Sequence, residues 1–376
     1  MLPFLSLYLT ESKGYSLAEA GLLMSGFGIG SLFGNYLGGW LADKWRYLRV
    51  QILSLVLSGI MWMLMSLVDS FTEFTIAIFL TSLFGSFFRP ANMMAIELHG
   101  KPESRTRALS LNRMAINLGF SLGPAAAGFL IAYAGYDSLF FVDGLTCWLA
   151  ALVLLIGLKP KYEDLPARAQ NKGSQPEPDE QSPWKDSRFL LYALSHMFVI
   201  MSFMQFFSTI PVFWKDGLGL TESYIGILMA TNGIIIVILE MPLIHALEKR
   251  KNPLRWVRMG AFLILLGAAS LIPGDFVILS WAYIAFITVG EILNFPFASA
   301  YVLSIANPAF RGRYMGIFSM SWSVAFIISP SAGGYIAEHF GYSWLALAMV
   351  TCSAIGLLGL TWISKTEVRG EIAGAT

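Results

Sequence analysis

The second half of this 376-residue chain repeats the first. Arg107, Pro124, Gly128 and Gly135 recur as Arg313, Pro330, Gly334 and Gly341, each 206 residues further on. An offset of 205 relates Gly21, Gly28, Asp43 and Lys44 to Gly226, Gly233, Glu248 and Lys249. One ancestral bundle has been duplicated, and both copies are apolar. Of all residues 56% are hydrophobic and 13% charged, against about 25% charged in soluble domains. A water-soluble fold of this size could not hide that much apolar surface.

The apolar segments have the length of roughly 20 residues that crosses ~30 Å of hydrocarbon as a helix. They run at about 18–42, 47–68, 72–96, 106–134, 138–158, 187–213, 221–247, 255–273, 276–304, 312–338 and 342–364, eleven in number. Residues 1–10, MLPFLSLYLT, are apolar but too short to cross, and neither a basic start nor a small-residue cleavage site marks a signal peptide. They read as the outer end of a first helix that begins upstream, which makes twelve and predicts a longer gene product. The expected fold is thus an all-α polytopic membrane protein of two pseudo-symmetric six-helix bundles. Two membrane bundles related by an internal repeat are the usual architecture of a secondary transporter, with the substrate site between the halves near the membrane midplane.

Lysine and arginine set the expected orientation. The loops that follow spans 2, 4, 6, 8 and 10, together with the C-terminus, hold 21 of the 25; the opposite loops hold only Lys13 and Lys215. That bias predicts a multi-pass plasma-membrane protein, in a bacterial inner membrane, with those loops and the C-terminus cytoplasmic. Residues 159–186 are the only long polar stretch, rich in Pro, Gln, Glu, Lys and Ser. They read as a mobile cytoplasmic tether. The expected division is therefore a bundle over 1–158, a linker over 159–186, a second bundle over 187–364 and a tail over 365–376.

With a net charge of +1 there is no field to recruit nucleic acid. Cys147 and Cys352 lie in apolar runs and read as packing residues rather than a disulfide or zinc site. The Gly26–Gly30 run lies inside a helix and lacks the basic residue of a phosphate loop. No metal spacing and no nucleophile with its base stands out, so neither an enzyme nor a bound cofactor is expected. The proton gradient would be the energy source, with the lipid bilayer, protons and a small-molecule substrate as partners and a monomer as the working form.

Between spans 2 and 3 the chain reads Gly39-Trp-Leu-Ala-Asp43-Lys44-Trp-Arg46-Tyr-Leu-Arg49. A glycine, then Leu-Ala-Asp, then a basic cluster resembles the signature loop of the major facilitator superfamily, although Arg46 stands where a glycine is expected. Gly39 permits close helix approach, and Asp43 at a helix end can meet a helix N-terminus or an arginine. The repeat offers Glu248 followed by Lys249, Arg250 and Lys251. By pseudo-symmetry, Asp43 is expected to face Arg311 and Arg313, and Glu248 to face Arg105 and Arg107. Such pairs would latch the cytoplasmic side in the outward-facing state; the alternative is plain topogenic charge.

Span 5 carries Gly119-Phe-Ser-Leu-Gly123-Pro124-Ala-Ala-Ala-Gly128, similar to the glycine–proline motif of the drug:proton antiporter branch. Gly119 and Gly123 share a face and would allow tight packing, and Pro124 can bend the helix. In span 4 the antiporter arginine position is Ser82, with Phe87-Phe88-Arg89-Pro90 nearer the cytoplasmic end. Span 10 carries Gly290-Glu291-Ile-Leu-Asn294-Phe-Pro296, similar to the tenth helix of proton-coupled multidrug antiporters.

Glu291 lies about 22 Å of helix rise into its span. Charge there is costly unless paired or hydrated, so Glu291 is the leading candidate to carry the proton, to contact a cationic drug, or both in turn. The alternative is a carboxylate permanently paired with an arginine. Glu240, whose repeat partner is Asn35, and Glu97 are further candidates, as gating pairs or transport residues. Arg89 and Arg113 would neutralise these acids or bind an anionic substrate group. Asn112, Asn117, Gln205, Asn232 and Asn294 are candidate cavity residues, and His196 reads as a packing residue. The abundant aromatics and methionines suit bulky apolar cations. The resemblance implies proton-coupled efflux of amphipathic, drug-like compounds by alternating access. The alternatives are a proton-coupled importer of a small nutrient, anionic ones included, and a membrane sensor or scaffold that moves nothing.

Overall fold

In the computed structural model, residues 2–99, 105–158, 183–248, 252–274, 276–306 and 311–374 are described. Among them the side chains at 2–3, 43, 97–99, 105–111, 113, 117, 121, 248, 311–313 and 367–374 are outside that description. The described residues form helices and connecting turns without a strand. The short α1 is Leu2–Leu7, running on as a π turn Tyr8–Ser12; α2 is Leu17–Lys44 and α3 Tyr47–Met65. α4 comprises Phe71–Ser86 and Phe88–His99; α5 is Arg105–Ala134 and α6 Asp137–Gly157. α7 begins as Ser187–Met204 and continues through short turns to Gly217; α8 is Glu222–Glu248 and α9 Pro253–Ser270. α10 is Val277–Ile305, α11 Arg311–Phe340 and α12 Tyr342–Gly374. Ten helices among the described residues are long and apolar enough to cross a membrane, one fewer than the eleven expected spans; α9, Pro253–Ser270, expected over 255–273, is not among them. Their limits fall within a few residues of the expected spans, except that α12 runs on to Gly374 instead of ending at 364.

Local chemistry sets these limits. Ser16 opens α2 and Ser70 opens α4, each in a capping box with the glutamate three residues on, which satisfies two orphan backbone donors at once. Asp186 caps α7, its Oδ1 accepting from Phe189 N at 2.9 Å. α4 is interrupted at Phe87 because Pro90 has no N–H to give the Ser86 carbonyl. Pro211 does the same to Phe207, and there α7 changes to a 3-10 turn, Gln205–Phe207. Gly135 and Gly341, a repeat pair, close α5 and α11 at φ of 76° and 91°, where a side chain would be strained.

The turns before α2, α4, α6, α8, α10 and α12 lie at one end of the molecule, called here the outer end. The linker joins α6 to α7 at the other. The halves meet along two helix pairs, α2 with α11 and α5 with α8, and the repeat makes these pairs equivalent. At the outer end both are stripped of side chains. A Cβ on Gly21 would strike the Pro330 carbonyl, and one on its repeat partner Gly226 the Pro124 carbonyl. A Cβ on Gly128 would strike the Glu222 carbonyl, and one on Gly334 that of Leu17. Phe4, Leu7, Ala127 and Ile131 share one buried cluster with Ile210, Ile225 and Leu228, so apolar packing between the halves is also outer.

Filling this interface is expected to open it. Gly21→Ala and Gly226→Ala should each cost the closed contact about 1–3 kcal/mol. In a background lacking Cys147 and Cys352, they should raise several-fold the labelling of a cysteine at Met24 by a membrane-impermeant maleimide. Gly119→Ala, which meets no atom within 4 Å, should leave labelling unchanged.

Candidate functional site

Between the halves, below the outer contacts, lies a cavity of about 1110 Å³. Its walls come from the linker-side parts of α2, α4, α8, α10 and α11, with Ile116 of α5. It therefore reaches from mid-membrane to the linker end. Phe27 of α2 and Phe326 of α11 line its inner limit, ring centroids 5.7 Å apart across the halves. Beyond them the halves are bonded directly. Ser25 and Ser331 hydroxyls stand 2.6 Å apart, and the Ala18 amide at the start of α2 donates to Glu338 Oε2 of α11 at 2.7 Å. On the equivalent pair, Tyr136 donates to Glu222 Oε1 at 3.2 Å, and Lys215 Nζ lies 2.7 Å from the same oxygen.

Among the described residues, three acidic or basic side chains line the cavity: Arg89 from α4, Glu240 from α8 and Glu291 from α10. An ionised group at membrane depth costs about 2.5–3.5 kcal/mol without compensation. Glu291 has partial compensation, its Oε2 accepting from Asn232 Nδ2 at 3.4 Å, while Asn232 also donates to Thr288 Oγ1 at 2.9 Å. Glu240 is 7% exposed and lies within electrostatic reach of Glu291. The wall beside Glu291 is aromatic: Phe295, one turn further along α10, and Trp322 of α11 meet edge to face at 4.6 Å.

The predicted residues divide. Arg89, Glu240 and Glu291 meet in the cavity, joined by Asn35, the repeat partner of Glu240. Asn232 reaches it through Glu291. Gln205 does not line it. Its amide donates to Ser329 O at 2.7 Å and accepts from Thr209 Oγ1 at 2.8 Å, tying α7 to α11 beside the break. Asn294 is likewise elsewhere, fully buried, donating to Val257 O at 2.8 Å and accepting from His196 Nε2 at 2.7 Å. His196 is thus a packing residue behind Phe295 and Phe318. Asn112 accepts from Asn92, inside the first half. Ser82, at the motif's arginine position, donates to Phe27 O at 2.5 Å.

In the glycine–proline motif, Gly128 and Pro124 contact α8, but a Cβ on Gly119 or Gly123 would meet nothing within 4 Å. The tight packing expected of those two is absent from this conformation. Gly39 approaches Pro90, with 3.9 Å from a built Cβ to Pro90 Cβ. Lys44 Nζ sits 4.1 Å from the Trp40 ring centroid. The side chains of Asp43, Glu97, Arg107, Arg113, Asn117, Glu248 and Arg313 lie outside the described residues. Sequence reasoning missed Ser25, Ser331, Glu338, Tyr136 and Glu222. Of these only Glu222 carried a signal, next to the repeated glycine at 226.

The two bundles and the cavity between them are those of a membrane transporter. The family model for the Major Facilitator Superfamily matches residues 1–309 and 289–374, and the chain belongs to that family. It is an MFS transporter and not an enzyme. It is 26% identical over 369 residues to the MFS-type transporter YqjV of Bacillus subtilis (strain 168), covering 96% of this chain and 88% of that protein. It is 24% identical to a Na(+), Li(+), K(+)/H(+) antiporter of Planococcus maritimus, covering 99% and 93%. The multidrug resistance protein MdtH of Yersinia enterocolitica is 22% identical, with 96% and 89% covered. Among solved structures, a peptide transporter POT variant in complex with alafosfalin superposes with a TM-score of 0.79 at 16% identity, covering 97% and 90%. A bacterial homolog of the human lysosomal transporter Spinster, in an inward-facing and occupied conformation, gives 0.75 at 16% identity, covering 97% and 94%. At these identities the solved structures bear on fold alone.

Gln205 is a structural residue here, which thermal unfolding can test. Gln205→Ala strands the Ser329 carbonyl and the Thr209 hydroxyl. It should destabilise the protein by about 1–3 kcal/mol, whereas Ser299→Ala on the cavity wall should stay within about 0.5 kcal/mol.

Proposed function

We propose that this transporter is a proton-coupled exporter of small amphipathic, drug-like compounds in a bacterial inner membrane. The observation that carries the reading is Glu291. A carboxylate midway along α10 lines the cavity beside an aromatic wall, with Asn232 as its described hydrogen-bond donor. Such a carboxyl can exchange a proton for a cationic group. With the linker end cytoplasmic, as the lysine and arginine bias indicates, this conformation is inward-facing, closed outside and open to cytoplasmic substrate. Substrate binds at the aromatic wall, the halves rock about the α2–α11 and α5–α8 contacts, and the outer end opens. A proton from outside then occupies Glu291, releases the substrate and resets the cavity. Glu240 and Glu97 are the further proton-coupling candidates. In the outward-facing state Asp43 would meet Arg311 and Arg313, and Glu248 would meet Arg105 and Arg107. The transporter would work as a monomer, with bundles over 1–158 and 187–364 joined by the linker over 159–186.

Two of the relatives, a multidrug resistance protein and a cation/proton antiporter, support the reading of export against a proton gradient. Arg89 on the cavity wall favours one alternative, a proton-coupled importer of an anionic nutrient. Substrate-dependent proton flux in proteoliposomes decides between them. A lipophilic cation should drive proton movement, and Glu291→Gln should abolish it while leaving proton-independent exchange. Flux driven by anionic nutrients and not by cations would establish the importer.

A further inference from the structure

The charges of the cavity are sorted by half. The duplication supplies an internal control, because each charged wall residue has a counterpart in the other copy. Aligned on Gly85 and Gly290, Glu291 corresponds to Ser86 and Arg89 to Asn294; Glu240 corresponds to Asn35. Every counterpart is neutral and polar. Ser86 donates to Ser31 Oγ at 3.1 Å, and Asn294 is buried against His196. Among the described residues, the cavity thus carries a cation on the first half and carboxylates on the second. The break in α4 accounts for part of this. α10 runs unbroken and buries Asn294, while the interruption at Phe87 changes the helix phase and leaves Arg89 exposed on the cavity wall.

Opposite charges on opposite walls fit a ligand that carries both. Neither a simple cation nor a simple anion uses the whole arrangement: a cation pairs only with the carboxylates and covers Arg89 without a partner, which is costly, and an anion pairs only with Arg89. We propose that the substrates of this cavity are amphoteric: an amine held by Glu291, a carboxylate held by Arg89, and an apolar body against Phe295 and Trp322. This rests on the reading of the cavity as the proton-coupled substrate site and narrows its substrate class. Such a ligand ties the first half to the second, so its binding favours closure of the linker end, the step that alternating access requires. The amine and the proton compete for the same carboxylate. Arg89, which holds no exchangeable proton at physiological pH, binds the carboxylate in either phase and sets specificity.

The test uses matched triads on the purified full chain, read by ligand-induced shifts in unfolding followed through its 11 tryptophans. Phenylalanine and phenylalanyl-phenylalanine are each compared with the methyl ester, which keeps only the amine, and with the N-acetyl form, which keeps only the carboxylate. The parent compounds should bind at least about tenfold tighter than either derivative, the value of one charged hydrogen bond. Arg89→Gln should erase the preference for parent over ester while leaving ester affinity in place, and Arg89→Lys should restore part of it. Glu291→Gln should erase the preference for parent over N-acetyl form. An ester that binds the wild type as well as its parent overturns the proposal and leaves the cation-exporter reading standing. An N-acetyl form that equals its parent overturns both. Absence of binding by either parent also overturns the proposal, and lipophilic-cation proton flux then decides the exporter reading separately.

Discussion

The structure depends on how closely two pairs of helices approach at the outer end. Gly21, Gly128, Gly226 and Gly334 bring α2 against α11 and α5 against α8 until backbone meets backbone. In a bilayer no hydrophobic drive holds helices together, and close van der Waals packing through small residues takes its place. The carbonyls of Pro124 and Pro330 lie in these contacts, each facing a glycine of the other half. The cavity follows from this geometry. Halves joined this tightly at one end, with longer side chains on the same helices further along, diverge toward the other. Polar contacts such as Ala18 to Glu338 and Tyr136 to Glu222 reinforce the joint at its rim.

The duplication governs the fold more strictly than it governs the site. Its glycines and prolines serve the same contact in both copies. Its charged and polar residues have diverged: Glu240 faces a cavity to which the first copy contributes Asn35, and Glu291 stands where the first copy has Ser86. A symmetric scaffold gives two equivalent hinges for rocking, and asymmetric walls give a substrate an orientation.

The fold was largely legible because membrane helices are limited by length and hydropathy. The spans placed on the sequence match α2 to α12 closely, and the repeat pairs α2 with α8 and α5 with α11 before any contact is seen. The site was legible in part. Glu291, Glu240 and Arg89 could be nominated because ionisable residues at membrane depth are few. Asn294 and Gln205 were misplaced because a polar residue in a membrane helix can equally satisfy other polar atoms. Asn294 faces His196 and Val257, and Gln205 ties α7 to the Ser329 carbonyl of α11. Gly119 and Gly123 promised packing by spacing alone, but among the described residues their face meets no partner.

By itself the sequence determined a duplicated helical membrane protein, its span limits, and the short set of charges that its interior holds. These follow from composition, period and covalent facts such as proline's missing N–H, which act along the chain. Only the tertiary structure decided which end of the molecule is closed, which polar residues face the cavity, and that the cation and the carboxylates stand on opposite walls. Those depend on the rotation of each helix about its axis and on the tilt between halves. Both are set by contacts such as Gly21 on Pro330 and Gly226 on Pro124, between residues roughly 300 and 100 positions apart in the chain.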